Sequence, residues 1–137
     1  MIVKTVDLRC DPDAAFRLFT ERAGEWWPNE RRHTEDSASI IRIEETGRFY
    51  ERAGDGTEVE LGVVRVFERG SRLLLDWYPG TGREEPTRVE VRFEKIDAGT
   101  RVTILHDAGA APTETFNRNA ARYDRAWDSV LVSMRDV

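Results

Sequence analysis

The chain has 137 residues, of which 39% are apolar and 34% charged, with a formal net charge of −5. That is the size of one domain able to bury a real core, and residues 1–137 are read as one. The acidic balance argues against nucleic acid or an anionic membrane as a partner. All but two of the 21 Lys+Arg are arginine, a bias that a GC-rich bacterial genome explains more simply than a set of carboxylate-binding forks. A single cysteine, Cys10, excludes an internal disulfide and reads as a quiet, partly buried thiol. The N-terminal Met-Ile-Val-Lys-Thr-Val-Asp lacks the apolar centre of a signal peptide, and no apolar run approaches the ~20 residues of a membrane span. A cytoplasmic protein is expected.

Ile2 to Arg9 alternates as a first strand. Asp11-Pro12-Asp13 opens a helix: Asp11 caps it, Pro12 suits its first position, and Asp13 favours the positive end of the dipole. A short helical turn follows over Glu21 to Trp26, and Pro28 ends it. Asn29 to Ser37 is polar and without period, so it reads as an exposed loop. Strands then follow at Ser39–Glu44, Arg48–Arg52, Glu58–Glu68, Arg72–Trp77, Thr87–Ile96 and Arg101–His106. Turn signals at Gly47, Asp55-Gly56, Gly70, Pro79-Gly80-Thr81-Gly82 and Asp97-Ala98-Gly99 separate them. From Thr113 to Val137 the apolar residues Phe116, Ala120, Tyr123, Trp127, Val130, Leu131 and Met134 recur at gaps that place them on one side of a long helix. The architecture expected is α+β: a curved antiparallel sheet of about six or seven strands wrapped round a long C-terminal helix, with two short helical pieces after the first strand. The alternating strands have one charged and one apolar face, so the sheet is covered on one side, with the final helix as the cover.

These pieces in this order resemble a known group. They are Asp11-Pro12 to Phe19, Trp26-Trp27-Pro28, Leu61-Gly62-Val63-Val64, Leu73 to Trp77, Thr87 to Glu94, Gly99 to His106, and Tyr123 with Trp127. The chain is similar to the START-like, Bet v 1-like superfamily, and within it to the group related to the C-terminal domain of the Hsp90 ATPase activator. The resemblance covers nearly the full length. It implies the helix-grip fold and, commonly, an enclosed apolar cavity. The functions it implies are several: ligand carriage, cyclisation in polyketide synthesis, and co-chaperone action.

The candidate cavity-lining residues are Trp26, Trp27, Trp77, Phe93, His106, Tyr123 and Trp127. Tyr123 and Trp127, one turn apart, are the first choices. His106 shares a strand face with Val102 and Ile104 and so points to the apolar side. There it could serve as a general base, but a histidine satisfied by a backbone carbonyl or a water is the simpler reading. In Trp26-Trp27 one indole could be buried and the other partly exposed, gating the cavity mouth or marking a partner surface, but an ordinary packed corner is the simpler reading. The Glu30-Arg31-Arg32-His33-Thr34-Glu35-Asp36 run could contact an anionic ligand or another protein, but a solvated loop is the simpler reading.

His33, His106 and Cys10 form no recognised metal-ligand spacing, and neither glycine-rich turn precedes a helix, so no metal, cofactor or phosphate cradle is expected. No serine or cysteine has a plausible base beside it, and no catalytic residue is assigned. The leading expectation is a module that holds a small apolar or amphipathic molecule between helix and sheet. An enzyme of the polyketide cyclase or hydrolase type using the same cavity is the alternative. A co-chaperone-like interaction module is a third, but no extra N-terminal domain of the kind such co-chaperones carry is expected, which argues against an Hsp90-type partner. The chain is expected to be a monomer or a homodimer.

Overall fold

A computed structural model describes residues 1–79 and 81–137, so the Gly80 part of the expected Pro79-Gly80-Thr81-Gly82 turn lies outside the described residues. One antiparallel sheet holds seven strands: β1 (Ile2–Leu8), β2 (Ile40–Ile43), β3 (Arg48–Arg52), β4 (Glu58–Glu68), β5 (Arg72–Trp77), β6 (Thr87–Ile96) and β7 (Gly99–Asp107). Their order across the sheet is β1-β7-β6-β5-β4-β3-β2, a meander from β2 to β7 with the first strand added at the β7 edge. Helix α1 spans Pro12–Thr20 and helix α2 spans Thr113–Arg135, with single 3-10 turns at Ala23–Glu25 and Asn29–Arg31. This is the helix-grip arrangement expected from the sequence.

Local chemistry accounts for the element ends. The Asp11 carboxylate accepts the Ala14 backbone N–H at 2.8 Å, and Pro12 and Asp13 fill the first turn of α1. Two bulges in β4 bend the sheet. Phe49 pairs with Gly62 but Tyr50 pairs with Glu60, leaving Leu61 as an extra residue. Val64 pairs with Leu75 but Val66 pairs with Leu74, leaving Arg65 extra. Each bulge adds twist and a kink, so the meander curls.

The convex face stays in water behind a lattice of ion pairs. Arg72 and Arg92 both reach Glu90, at 2.7 and 3.0 Å, and Arg101 meets Asp7 at 2.9 Å. Such exposed pairs contribute little each, and their main effect is to keep that face polar. The concave face is apolar and closed, with Leu73, Leu75, Val89, Val91, Val102 and Ile104 fully buried.

Two helices share the cover, where the sequence pointed to α2. Helix α1 lies over one half: Phe16 and Phe19 pack on Phe93 with ring centroids 5.1 and 6.0 Å apart. Helix α2 lies over the other half, with Trp127 on Trp77 at 5.0 Å. Lys4 on β1 pins α2 from the side, bridging Asp124 at 3.0 Å and Asp128 at 2.8 Å. Alternation shows which strand face is inward. It does not show which helix will cover each part of it.

Gly62 is the tightest point of the bend. A Cβ there would stand 2.1 Å from the Asp76 carbonyl oxygen and 2.8 Å from Phe49 Cδ2. Gly62→Ala is therefore expected to lower unfolding stability by about 1–3 kcal/mol, read as a shift in the urea midpoint. An unchanged midpoint would show that the β3–β4–β5 contact yields freely.

Candidate functional site

The aromatic residues form a continuous row under α2. Trp26 packs on Trp27 at 5.6 Å, Trp27 lies 6.3 Å from Trp77, and Trp77 lies 5.0 Å from Trp127. The row continues to His106, whose ring lies 4.7 Å from Tyr123, and ends at Phe116. Both tryptophans of the Trp26-Trp27 pair are buried, so neither is the partly exposed gate, and the pair forms the packed corner. The Trp26 indole donates to the Leu18 carbonyl at 2.8 Å and the Trp27 indole to the Arg31 carbonyl at 3.3 Å, so both polar ends are satisfied inside the packed corner.

A pocket of about 300 Å³ opens between this row and the segment after α1. Its aromatic walls are Trp27, Trp77, Tyr123 and Trp127, and Val130 and Ala126 on α2 complete its apolar part. Glu30, Arg31, Arg32, His33, Pro79 and Arg122 form the polar part. Four of the seven sequence-selected residues thus meet at the pocket. Phe93 and Trp26 do not, being packed against Phe19 of α1. His106 is fully buried behind the wall. A depression of about 520 Å³ over His33–Asp36, Ala53, Asp55 and Thr57 is wider but has no aromatic wall.

His106 is held from both sides. Trp127 Nε1–H donates to Nδ1 at 3.0 Å, and Nε2 lies 2.8 Å from Thr87 Oγ1. Thr87 Oγ1–H in turn donates to the Trp77 carbonyl at 2.9 Å. An indole nitrogen only donates, so Nδ1 must accept and the proton must sit on Nε2. The sequence reading of a satisfied histidine holds, with a tryptophan and a threonine as the partners in place of a carbonyl or water. Burial first, and the positive charge of the chain N-terminus second, push its pKa down to about 4. The imidazole is thus neutral at physiological pH, with both nitrogens engaged.

The Asn29–Ser37 segment is exposed or half-buried along its length, as expected from its composition, but it is not loose. It contains a 3-10 turn, and two side chains tie it down. Arg32 donates to the carbonyls of Gly24, Trp27 and Ser39 and to Ser39 Oγ, at 2.7 to 3.1 Å. Glu51, fully buried on β3, accepts from the backbone N–H of His33 at 2.7 Å, that of Thr34 at 2.9 Å, and the hydroxyls of Thr34 and Ser39. Burial alone would raise the Glu51 carboxyl. The surrounding donors outweigh it and hold the group below the usual carboxylate range. The sequence reading did not select Glu51. The available signal was its alternation with Phe49, which places both on the inward face. The pocket residues Arg122, Ala126 and Val130 were also not selected as ligand contacts, and Arg31 was weighed as one only within its polar run.

Among the described residues no group of three His, Cys, Asp or Glu side chains could hold a metal ion, and no helix is long and apolar enough to cross a membrane.

Fold and pocket together define a helix-grip protein with an aromatic-walled recess under its closing helix. The family model described as Activator of Hsp90 ATPase homolog 1-like protein matches residues 9–137, and the chain belongs to that family. Among solved structures it is similar to CalC of Micromonospora echinospora, a self-sacrificing resistance protein, at 29% identity and a TM-score of 0.73, over 98% of this chain and 91% of that one. An AHSA1-like protein of Aeromonas hydrophila matches at 17% identity and a TM-score of 0.64, over 98% and 89%. DynU16, from the dynemicin biosynthetic locus, matches at 16% identity and a TM-score of 0.65; 98% of this chain corresponds to 45% of that one. The last two show the fold alone. A search of curated proteins finds no match.

Two buried ionisable groups, His106 and Glu51, give the stability curve two stages on the acid side. His106 has an ordinary value near 6.5 unfolded and about 4 folded, so its contribution is complete above 6.5 and is lost as pH falls toward 4. The difference corresponds to about 3 kcal/mol. Glu51 is also depressed, so its contribution is present above its ordinary 4.5 and is lost below it. Denaturation across pH is expected to show a decline between 6.5 and 4.5 that His106→Gln removes. A wild-type curve flat through that interval would contradict the buried neutral imidazole. Glu51→Gln should cost about 1–3 kcal/mol at neutral pH, because an amide cannot accept from so many donors at once.

Proposed function

We propose that this chain is a single-domain binding protein that holds a small, flat, largely apolar molecule in the pocket between Trp27, Trp77, Tyr123 and Trp127. One observation carries the reading: three indoles and a phenol converge on an open recess of about 300 Å³. That volume is at the lower end of small-molecule sites and well above the space of a single water. Stacked aromatic faces favour planar apolar or conjugated ligands. The chain's membership of a family whose fold commonly encloses ligands supports the same reading. A holding role is also what the state of His106 supports. Its nitrogens are committed to Trp127 and Thr87, so it has no free lone pair to take a proton from a ligand. Proton-transfer chemistry of the cyclase or hydrolase type would need another base.

The 29% identity to a self-sacrificing resistance protein favours a second, narrower reading. On that reading the bound molecule is one that the host must keep away from its own targets. A compound recovered with the protein would then inhibit growth of a host lacking the gene more strongly than the wild type.

Native mass spectrometry of protein from its own host tests binding directly. A bound mass of small-molecule size is expected. Ala126→Trp fills the recess from half-buried α2 without opening the core, and it should abolish that mass and weaken binding of neutral N-phenylnaphthylamine roughly tenfold or more. Probe binding unaffected by Ala126→Trp would place the ligand elsewhere and overturn the reading.

A further inference from the structure

The pocket has one apolar end and one cationic end, and its cations are unusually idle. Arg31, Arg32 and Arg122 line it with a single acid, Glu30, in a chain whose net charge is −5. Glu30 already accepts from Ser129 Oγ at 3.3 Å. Arg32 spends its donors on neutral carbonyls, a hydroxyl and the Asn29 amide, and makes no ion pair among the described residues. Arg122 lies over the Tyr123 ring at 5.5 Å and makes no ion pair among the described residues. Arg31 is the decisive residue. Its Nε is the one buried side-chain polar atom among the described residues that has no hydrogen-bond partner. Most arginines on the strands are neutralised, as in Arg72 with Glu90 and Arg101 with Asp7. A buried charged donor left unpaired is costly, and the natural remedy is an anionic acceptor that meets Nε and a terminal nitrogen of the guanidinium together.

We infer that the ligand of this pocket carries one anionic group, a carboxylate or an equivalent oxyanion, on its flat apolar body, and that Arg31 with Arg122 binds it while the indoles take the rings. This rests on the binding role proposed above and adds the ligand's charge. Positive charge from Arg32 strengthens the local field without touching the anion. Glu30 sets the opposite limit: a cationic ligand would meet one acid and three arginines.

The test uses two probes with one ring system, anilinonaphthalene sulfonate and neutral N-phenylnaphthylamine, titrated against the whole chain. The anionic probe is expected to bind roughly tenfold tighter, with a preference that shrinks as salt rises. Arg31→Gln should erase most of that preference and leave the neutral probe unchanged. Arg31→Lys, which keeps the charge but lacks the fork, should retain part of it. Arg122→Gln, on an exposed residue, gives a second reading if Arg31 variants fold poorly, and should also weaken the anionic probe selectively. Arg135→Gln, at the far C-terminal end of α2 and outside the pocket lining, should change neither. Equal affinity for the two probes, or a preference that survives both Arg31→Gln and Arg122→Gln, overturns this inference and leaves the binding role standing. Failure of both probes to bind overturns the two together.

Discussion

The contact on which the rest depends is the buried hydrogen bond from Trp127 to His106, at 3.0 Å. It joins the closing helix to the last strand of the meander at a fixed point. From there the chain of donors runs through Thr87 to the carbonyl of Trp77, so a helix, two neighbouring strands and the end of a third are set in one register. The distance between the Trp77 and Trp127 rings follows from that register, and so does the wall of the recess. A histidine in this place acts as a two-sided polar joint, with its protonation fixed by what it touches.

A second joint shapes the other side of the recess. Glu51 draws the polar segment from His33 to Ser39 inward, and Arg32 closes the same segment onto the Trp26-Trp27 corner. Charge buried in this way is stable only when its donors are complete, as they are here. Together the two joints place a rigid aromatic floor against a polar wall that carries arginines. On the proposed reading, stacking and charge act on one molecule at this recess.

Much of the fold was legible because it depends on short-range pattern. Alternation marked Val89, Val91 and Phe93 as inward, and the gaps between Phe116, Tyr123, Trp127 and Met134 marked a helix with one apolar face. The Asp11-Pro12-Asp13 cap was readable because its chemistry spans only a few residues. What escaped was non-local. Glu51 looks like any charged strand residue until the N–H groups of His33 and Thr34 come from eighteen and seventeen positions away. Phe93 faces inward as read, but nothing in its own strand says that α1, and not α2, will meet it. His106 was placed on the correct face, while its partners Thr87 and Trp127 lie on other elements. Arg31 sits in a run whose composition is that of a loop, and its idle Nε is a property of the packed corner around it.

The state of His106 is the most direct measure of this account. Imidazole nitrogen shifts followed by NMR through acid titration should show a neutral ring protonated at Nε2, with Nδ1 accepting a hydrogen bond, and a midpoint near the folded value of about 4. A ring that titrates near 6.5, or that carries its proton on Nδ1, would mean that Trp127 does not lock the helix to the sheet.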